Sequence, residues 1–141
     1  MNAPVEAGLA PYVLSATGNG VWTLTLNRGD RFNPLSTAMI AALSDALDAI
    51  AADARVRVVV LAASGRALCA GHDLKEMRAA HGDHAWQRGL FDACTRMMLK
   101  LTELPQPVIA RVHGAAAAAG CQLVSMCDLA VAADTARFGL S

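Results

Sequence analysis

The sequence predicts an α/β domain, and three observations carry the prediction. Two short stretches near the start alternate apolar and polar residues around a Gly/Asn turn, as a hairpin does. Two later runs, Val56 to Ala62 and Val108 to Val112, are almost continuously apolar and β-branched, which suits strands covered on both faces. Between them lie stretches whose apolar residues recur at helical spacing. Strands and helices therefore alternate along one chain, as they do where helices bury the faces of a sheet.

Taken in order, Met1 to Pro11 is small, Pro-bearing and featureless, and is expected to be a disordered end, leaving 12–141 as the domain. Tyr12 to Ala16 and Val21 to Asn27 read as strands joined by the turn Thr17-Gly18-Asn19-Gly20. Arg28 to Leu35 is a polar loop broken by Gly29 and Pro34. Ser36 offers an N-cap, and Met39, Ile40, Leu43, Leu47 and Ile50 then mark one helix face, with Asp45 and Asp48 on the wet side. After the strand at Val56 to Ala62, Lys75-Glu76-Met77-Arg78 begins a short helix-like segment. Trp86, Leu90, Cys94, Met97 and Leu101 mark a long helix ended by Pro105 and Pro107. Val108 to Val112 is a buried strand, Gly120 to Cys127 a helix, and Leu129 to Ala133 the last strand.

Composition narrows the function classes. Twelve basic and twelve acidic residues give a formal net charge of zero, and the basic residues are dispersed, so nothing points to nucleic acid or a polybasic membrane patch. No uninterrupted apolar run approaches the roughly 20 residues of a membrane span. No Lys or Arg precedes Arg28, so no secretory or transit segment is visible, and a cytoplasmic chain is expected. Cys69, Cys94, Cys121 and Cys127 form no C-x-x-C pair and sit among apolar residues; reduced, buried thiols are expected, without disulfides or metal.

Two places combine a buried strand end with small residues and a following helix. One is Ser64 to Lys75, after Val58-Val59-Val60-Leu61; the other is Gly114 to Leu123, after Val108-Ile109-Ala110. Such turns leave backbone N–H groups unpaired and facing outward. Two of them delivering donors to one point would make an oxyanion hole. The competing reading of Ala115 to Ala119 is an Ala-rich helix start, Ala being the best helix former.

These segments carry a resemblance. Leu68-Cys69-Ala70-Gly71-His72-Asp73-Leu74, and Pro107-Val108-Ile109-Ala110 through Gly120-Cys121-Gln122-Leu123, resemble the two signature segments of the crotonase superfamily, the enoyl-CoA hydratase/isomerase family. Met126-Cys127-Asp128-Leu129-Ala130-Val131-Ala132 and Ala136-Arg137-Phe138-Gly139 continue it in register. The resemblance runs from about Tyr12 to the last residue. It implies a crotonase-like ββα spiral core, stopping before the C-terminal helical trimerisation part, so that the chain reads as a truncated product or fragment. It implies lyase or isomerase chemistry on an acyl-CoA in fatty-acid metabolism. A coenzyme A thioester is then the substrate, with no separate cofactor, and full-length relatives are homotrimers or hexamers. The Gly-His-Asp-Leu motif together with Gln122 also resembles the enoyl-CoA hydratase domain-containing subgroup.

By the same resemblance the oxyanion donors are the backbone N–H groups of His72 and Ala119. Ala stands at 119 where Gly is more usual, which is acceptable only if φ there is negative. Ala70, Gly71, His72, Asp73 and Leu74 would line the pantetheine and thioester beside Gly120. Arg31, with Phe32, and Lys75 would lie near the coenzyme A phosphates. Gln122 occupies the position where hydratases hold a catalytic Glu, and a second Glu would fall just beyond Ser141. An amide cannot cycle a proton, so Gln122 would only position water or substrate, and hydratase activity is doubtful. The alternative function is a catalytically silent acyl-CoA binder or oligomer partner.

Among other polar residues, the His72 side chain is a candidate acid/base. Asp73 is expected to cap the following helix, Asp128 to be structural, and Glu76 to face solvent. Cys69 has no neighbouring base to make it a nucleophile. His81 and His84 read as a solvated loop rather than metal ligands, and His113 as bonded to a local backbone group.

Overall fold

The computed structural model describes residues 10–140. Strands β1 (Val13–Gly18) and β2 (Val21–Leu26) pair antiparallel, Val13 opposite Leu26 and Gly18 opposite Val21. The turn is the dipeptide Asn19-Gly20, with φ of 54° and 80°. Positive φ at both positions matches the twist of a two-residue hairpin, so Thr17 and Gly18 stay in β1 rather than joining the turn. The expected disordered end lies mostly outside the described residues. Ala10 and Pro11 are tethered, their carbonyls accepting from the Arg28 guanidinium at 2.7 and 3.1 Å. Arg28 also lies over the Tyr12 ring, 3.8 Å from its centroid.

Helix α1 (Thr37–Ala51) begins where the sequence indicates: the Met39 N–H donates to Ser36 Oγ at 3.1 Å. Met39, Ile40, Leu43, Leu47 and Ile50 are buried, and Asp45 and Asp48 are exposed. Next come β3 (Val58–Ala63), β4 (Ala67–Cys69), α2 (Leu74–Ala79) and α3 (His84–Glu103). Asp83 caps α3 by accepting from the Trp86 N–H at 3.0 Å, and the helix stops short of Pro105 because the residue before a proline is pushed out of helical geometry. The chain continues through β5 (Val108–Val112), β6 (Ala115–Ala117), α4 (Ala119–Ser125), β7 (Leu129–Ala132) and β8 (Arg137–Gly139).

Five strands form the main sheet in the order β1-β2-β3-β5-β7, parallel throughout except for the hairpin. Helices α1 and α3 pack on it, and their buried residues form one cluster with Leu24, Leu26, Val59, Leu61, Val108, Ala110 and Val112 of the strands. Each large side chain fully withdrawn from water there contributes about 1.5–3 kcal/mol before entropy is counted. This is the alternating α/β architecture expected.

A second sheet, β4-β6-β8, is parallel and three strands wide. No pattern in the sequence indicates it. Its strands are only three residues long, too short to show alternation. Ala115-Ala116-Ala117 is a strand rather than a helix start: pairing on both sides overrides the helical preference of alanine. Strand β8 also lies beyond β7, where the last strand was expected. This small sheet positions the candidate site.

Candidate functional site

The turn after β4 is held against the loop after β2. The Ala70 N–H donates to the Phe32 carbonyl at 2.9 Å, and the Leu35 N–H to the Gly71 carbonyl at 2.8 Å; Leu35 and His72 form an isolated bridge. Asn33 anchors the arrangement. It is wholly buried, its side-chain amide donating to the Ser64 and Ala67 carbonyls at 2.9 and 3.1 Å while its Oδ1 accepts from the Arg28 N–H at 2.8 Å. Gly71 has φ 98°, a conformation open to glycine and costly for other residues.

The turn after β6 comes up against this one. A Cβ placed on Gly71 would stand 3.1 Å from the Ala117 carbonyl oxygen, 3.2 Å from the Ala118 methyl and 3.5 Å from the Ala119 nitrogen. Gly120 lies flat on the end of β4, where a Cβ would come within 2.2 Å of the Cys69 carbonyl oxygen. The two signature turns are thus neighbours in space, fitted together by two missing side chains. Ala119 is the first residue of α4, and it is not among the positive-φ residues; that burden falls on Ala118, with φ 51°.

Among the described residues, no protein acceptor meets the N–H of His72 or of Ala119. Unpaired donors at a turn and at a helix start are available to an external oxygen. Beside Ala119 an open hollow of about 510 Å³ is lined by Ala118, Ala119, Cys121, Gln122, Ser125 and Leu140. No carboxylate lines it. Gln122 is exposed there; its carbonyl accepts from Ser125 Oγ at 2.7 Å. The His72 ring is half-buried and meets Phe91 edge-on, centroids 5.2 Å apart at 83°, and its Nδ1 is buried without a partner among the described residues.

The remaining expected residues divide. Asp73 caps α2, accepting from the Lys75 and Glu76 N–H groups at 3.0 and 3.1 Å. Leu74 and Lys75 are exposed on that helix, and Phe32 and Ala70 are exposed beside the turn. Arg31 is exposed and lines a separate cleft of about 400 Å³ with Arg28, Asp30, Asp73 and Glu76. That cleft mixes two cations with three carboxylates, so it is not a simple anion site, and Lys75 does not line it. Glu76 does not simply face solvent. It is half-buried and accepts from the Thr37 N–H at 2.9 Å and from Thr37 Oγ1 at 2.6 Å, tying α2 to the start of α1.

Asp128 is structural, its carboxylate accepting from the Val108 N–H at 2.7 Å. His113 Nε2 bonds the Gly65 carbonyl at 2.7 Å, a backbone group but one 48 residues away rather than local. His81 is exposed; His84 is exposed too, but opens α3 instead of lying in a loop. No group of three metal-ligating side chains occurs among the described residues, and none of their helices is long and apolar enough to cross a membrane. All four cysteines are free; Cys69 and Cys94 are buried as expected, whereas Cys121 and Cys127 are only half-buried. Burial pushes the Cys69 thiol up to about 11, partly opposed by a Gly71 backbone hydrogen bond, and pushes Cys127 up to about 12. A thiol so raised stays protonated at neutral pH and is a poor nucleophile.

Two residues that shape the site escaped the sequence analysis. Asn33 left a faint signal, an Asn-Pro pair in a loop, since Asn tolerates left-handed backbone and bonds nearby chain. Ala118 left none, because nothing in an alanine run marks the one residue with positive φ.

Comparison with known proteins places this geometry. A model of the enoyl-CoA hydratase/isomerase family matches residues 16–141, and the chain belongs to that family. It is 39% identical over 128 residues to enoyl-CoA hydratase domain-containing protein 3, mitochondrial, of Xenopus laevis, covering 91% of this chain and 43% of that one. It is 40% identical over 120 residues to 2,3-dehydroadipyl-CoA hydratase of Escherichia coli K12, covering 85% and 46%. The crystal structure of an enoyl-CoA hydratase from Mycobacterium smegmatis superposes with a TM-score of 0.90 at 59% identity, over 94% of this chain and 51% of that one. The fold is therefore that of the crotonase family. The chain spans about half the length of the relatives it matches.

Proposed function

We propose that this chain binds an acyl-CoA thioester and stabilises the enolate form of its carbonyl with the backbone N–H groups of His72 and Ala119. The observation that carries the reading is the meeting of two turns whose donors lack protein acceptors, with Gly71 leaving open the space beside the Ala119 nitrogen. A thioester oxygen placed there accepts two bonds at once. Each such donor, aimed at developing negative charge, is worth about 3 kcal/mol. The relatives' names, a dehydroadipyl-CoA hydratase among them, support coenzyme A thioesters as the ligand class.

Hydration does not follow from this arrangement. Adding water across a double bond needs a group that takes a proton and returns it. The hollow offers Gln122, whose amide can orient water or substrate and nothing more. The reading is thus of a thioester binder with a polarising pocket and without hydratase chemistry in these 141 residues. Cytoplasmic location and a place in fatty-acid metabolism belong to the same proposal.

Calorimetric titration of the purified chain tests it: a saturated acyl-CoA is expected to bind more tightly than free coenzyme A. Mixing with a short enoyl-CoA should leave the enoyl-thioester absorbance unchanged. Equal affinities would remove the thioester pocket, and rapid loss of absorbance would overturn the argument from Gln122.

A further inference from the structure

Ala118 is held in a conformation that alanine avoids. Its φ and ψ are 51° and −121°, a region glycine enters freely and a Cβ obstructs. Contacts on both sides impose it. The Ala118 N–H donates to the Gly139 carbonyl at 2.7 Å, continuing the pairing of β6 with β8, while the Ala118 carbonyl accepts from Cys121 and Gln122 N–H groups at 3.0 and 3.1 Å in the first turn of α4. The chain must turn from strand into helix within this single residue.

That constraint has a directional result. No peptide bond among the described residues is cis, so the N–H of Ala119 points opposite to the carbonyl of Ala118. Bonds that hold the Ala118 carbonyl along α4 therefore aim the Ala119 N–H out of the helix start. The Ala118 methyl lies 3.2 Å from where a Cβ on Gly71 would be and lines the hollow beside Gln122. It stands as a wall next to the space between the two turns.

We infer that Ala118 is a positioning residue: its strained backbone fixes the aim of the Ala119 donor, and its methyl limits the room beside that donor. The inference rests on the thioester-binding reading and adds the residue that tunes it. Strain at such a place is retained when the surroundings over-determine it, here through β8 on one side and α4 on the other.

The variant Ala118→Gly separates strain from positioning, using the full chain. Removing the methyl relieves the backbone, and the melting temperature should rise by about 2–6 °C. The freed peptide should aim its donor less firmly. The preference for saturated acyl-CoA over free coenzyme A should then fall by about 3–10-fold, and isotope-edited infrared spectra of the bound thioester should show a smaller red shift of its carbonyl stretch than in the parent chain. A merely structural role would move the melting temperature and leave both ligand readouts alone, which overturns the positioning inference. A melting temperature that falls or stays level overturns the strain. If the parent chain itself shows no preference for acyl-CoA, the thioester reading fails and positioning falls with it, while the melting comparison still decides the strain.

Discussion

The side of the molecule closed by α1 and α3 and the side that ends in β7 and β8 are built on different terms. On the closed side, Leu43 and Leu47 are each 1% exposed and Met97 is wholly buried, at the helical spacing that lets them meet the sheet. On the open side, Leu129, Val131, Phe138 and Leu140 are 63%, 66%, 51% and 77% exposed. Both sides end in an edge strand, yet β1 turns Ser15 and Thr17 to solvent with Leu14, 43% exposed, as its one exposed large apolar side chain, where β7 turns Leu129 and Val131. A polar edge discourages further pairing, and an apolar one invites it. The closed half thus carries the stability, while the candidate site sits at the seam, on β4, β6 and α4, where the open side begins.

The largest expected effect tests that division directly. Leu43→Ala removes a fully buried side chain from the α1 face and should cost about 2–5 kcal/mol in urea unfolding. Leu129→Ala touches an exposed residue on β7 and should stay within about 0.5 kcal/mol. Similar losses for the two would mean that the open side is covered in solution, and the contrast would fall.

The next comparison sets two glycines against each other. Gly120→Ala drives a methyl into the Cys69 carbonyl, where a Cβ would stand 2.2 Å from the oxygen. Backbone cannot swing aside as a side chain can, so a loss of about 3 kcal/mol is expected, the upper end for overpacking. Gly89, inside α3, has nothing within 4 Å of its would-be Cβ, and Gly89→Ala should instead stabilise by about 1 kcal/mol through helix propensity. Chemical denaturation of the two variants should therefore move the midpoint in opposite directions; a neutral Gly120→Ala would show that α4 and β4 are not pressed together.

The same contrast explains what the sequence disclosed. On the closed side, periodicity is a direct consequence of burial: Met39, Ile40, Leu43, Leu47 and Ile50 recur because one helix face meets the sheet, and Ser36 announces where that helix starts. At the seam the physics is close approach, which demands small residues and leaves no period to read. The alanines of β6 read as a helix start for that reason, and the three residues of β8 carry no pattern of their own. What was legible at the seam came through the resemblance: the two motif turns, which the structure brings together where Gly71 faces Ala117, Ala118 and Ala119. The strain at Ala118 and the bond from Thr37 to Glu76 arise from contacts distant in sequence, which no local pattern encodes.

A last comparison asks how tightly the seam itself is packed. Burial raises the Cys69 thiol from an ordinary 9.0 to about 11, because the interior disfavours the thiolate. Between those values the unfolded chain gives up its proton and the folded chain keeps it, so stability must fall as pH rises. The contribution is fully present below about pH 8.5 and is lost progressively up to about pH 11, amounting to about 2–3 kcal/mol. Cys127, raised to about 12 by burial and by the neighbouring Asp128, acts in the same sense to still higher pH. Comparing unfolding free energies at neutral and alkaline pH in the parent chain and in Cys69→Ala isolates the first thiol: the variant should lose less on going alkaline. An equal loss in both would mean that water reaches β4 from the open side, and that the boundary between the two halves lies deeper than the strand that carries Gly71.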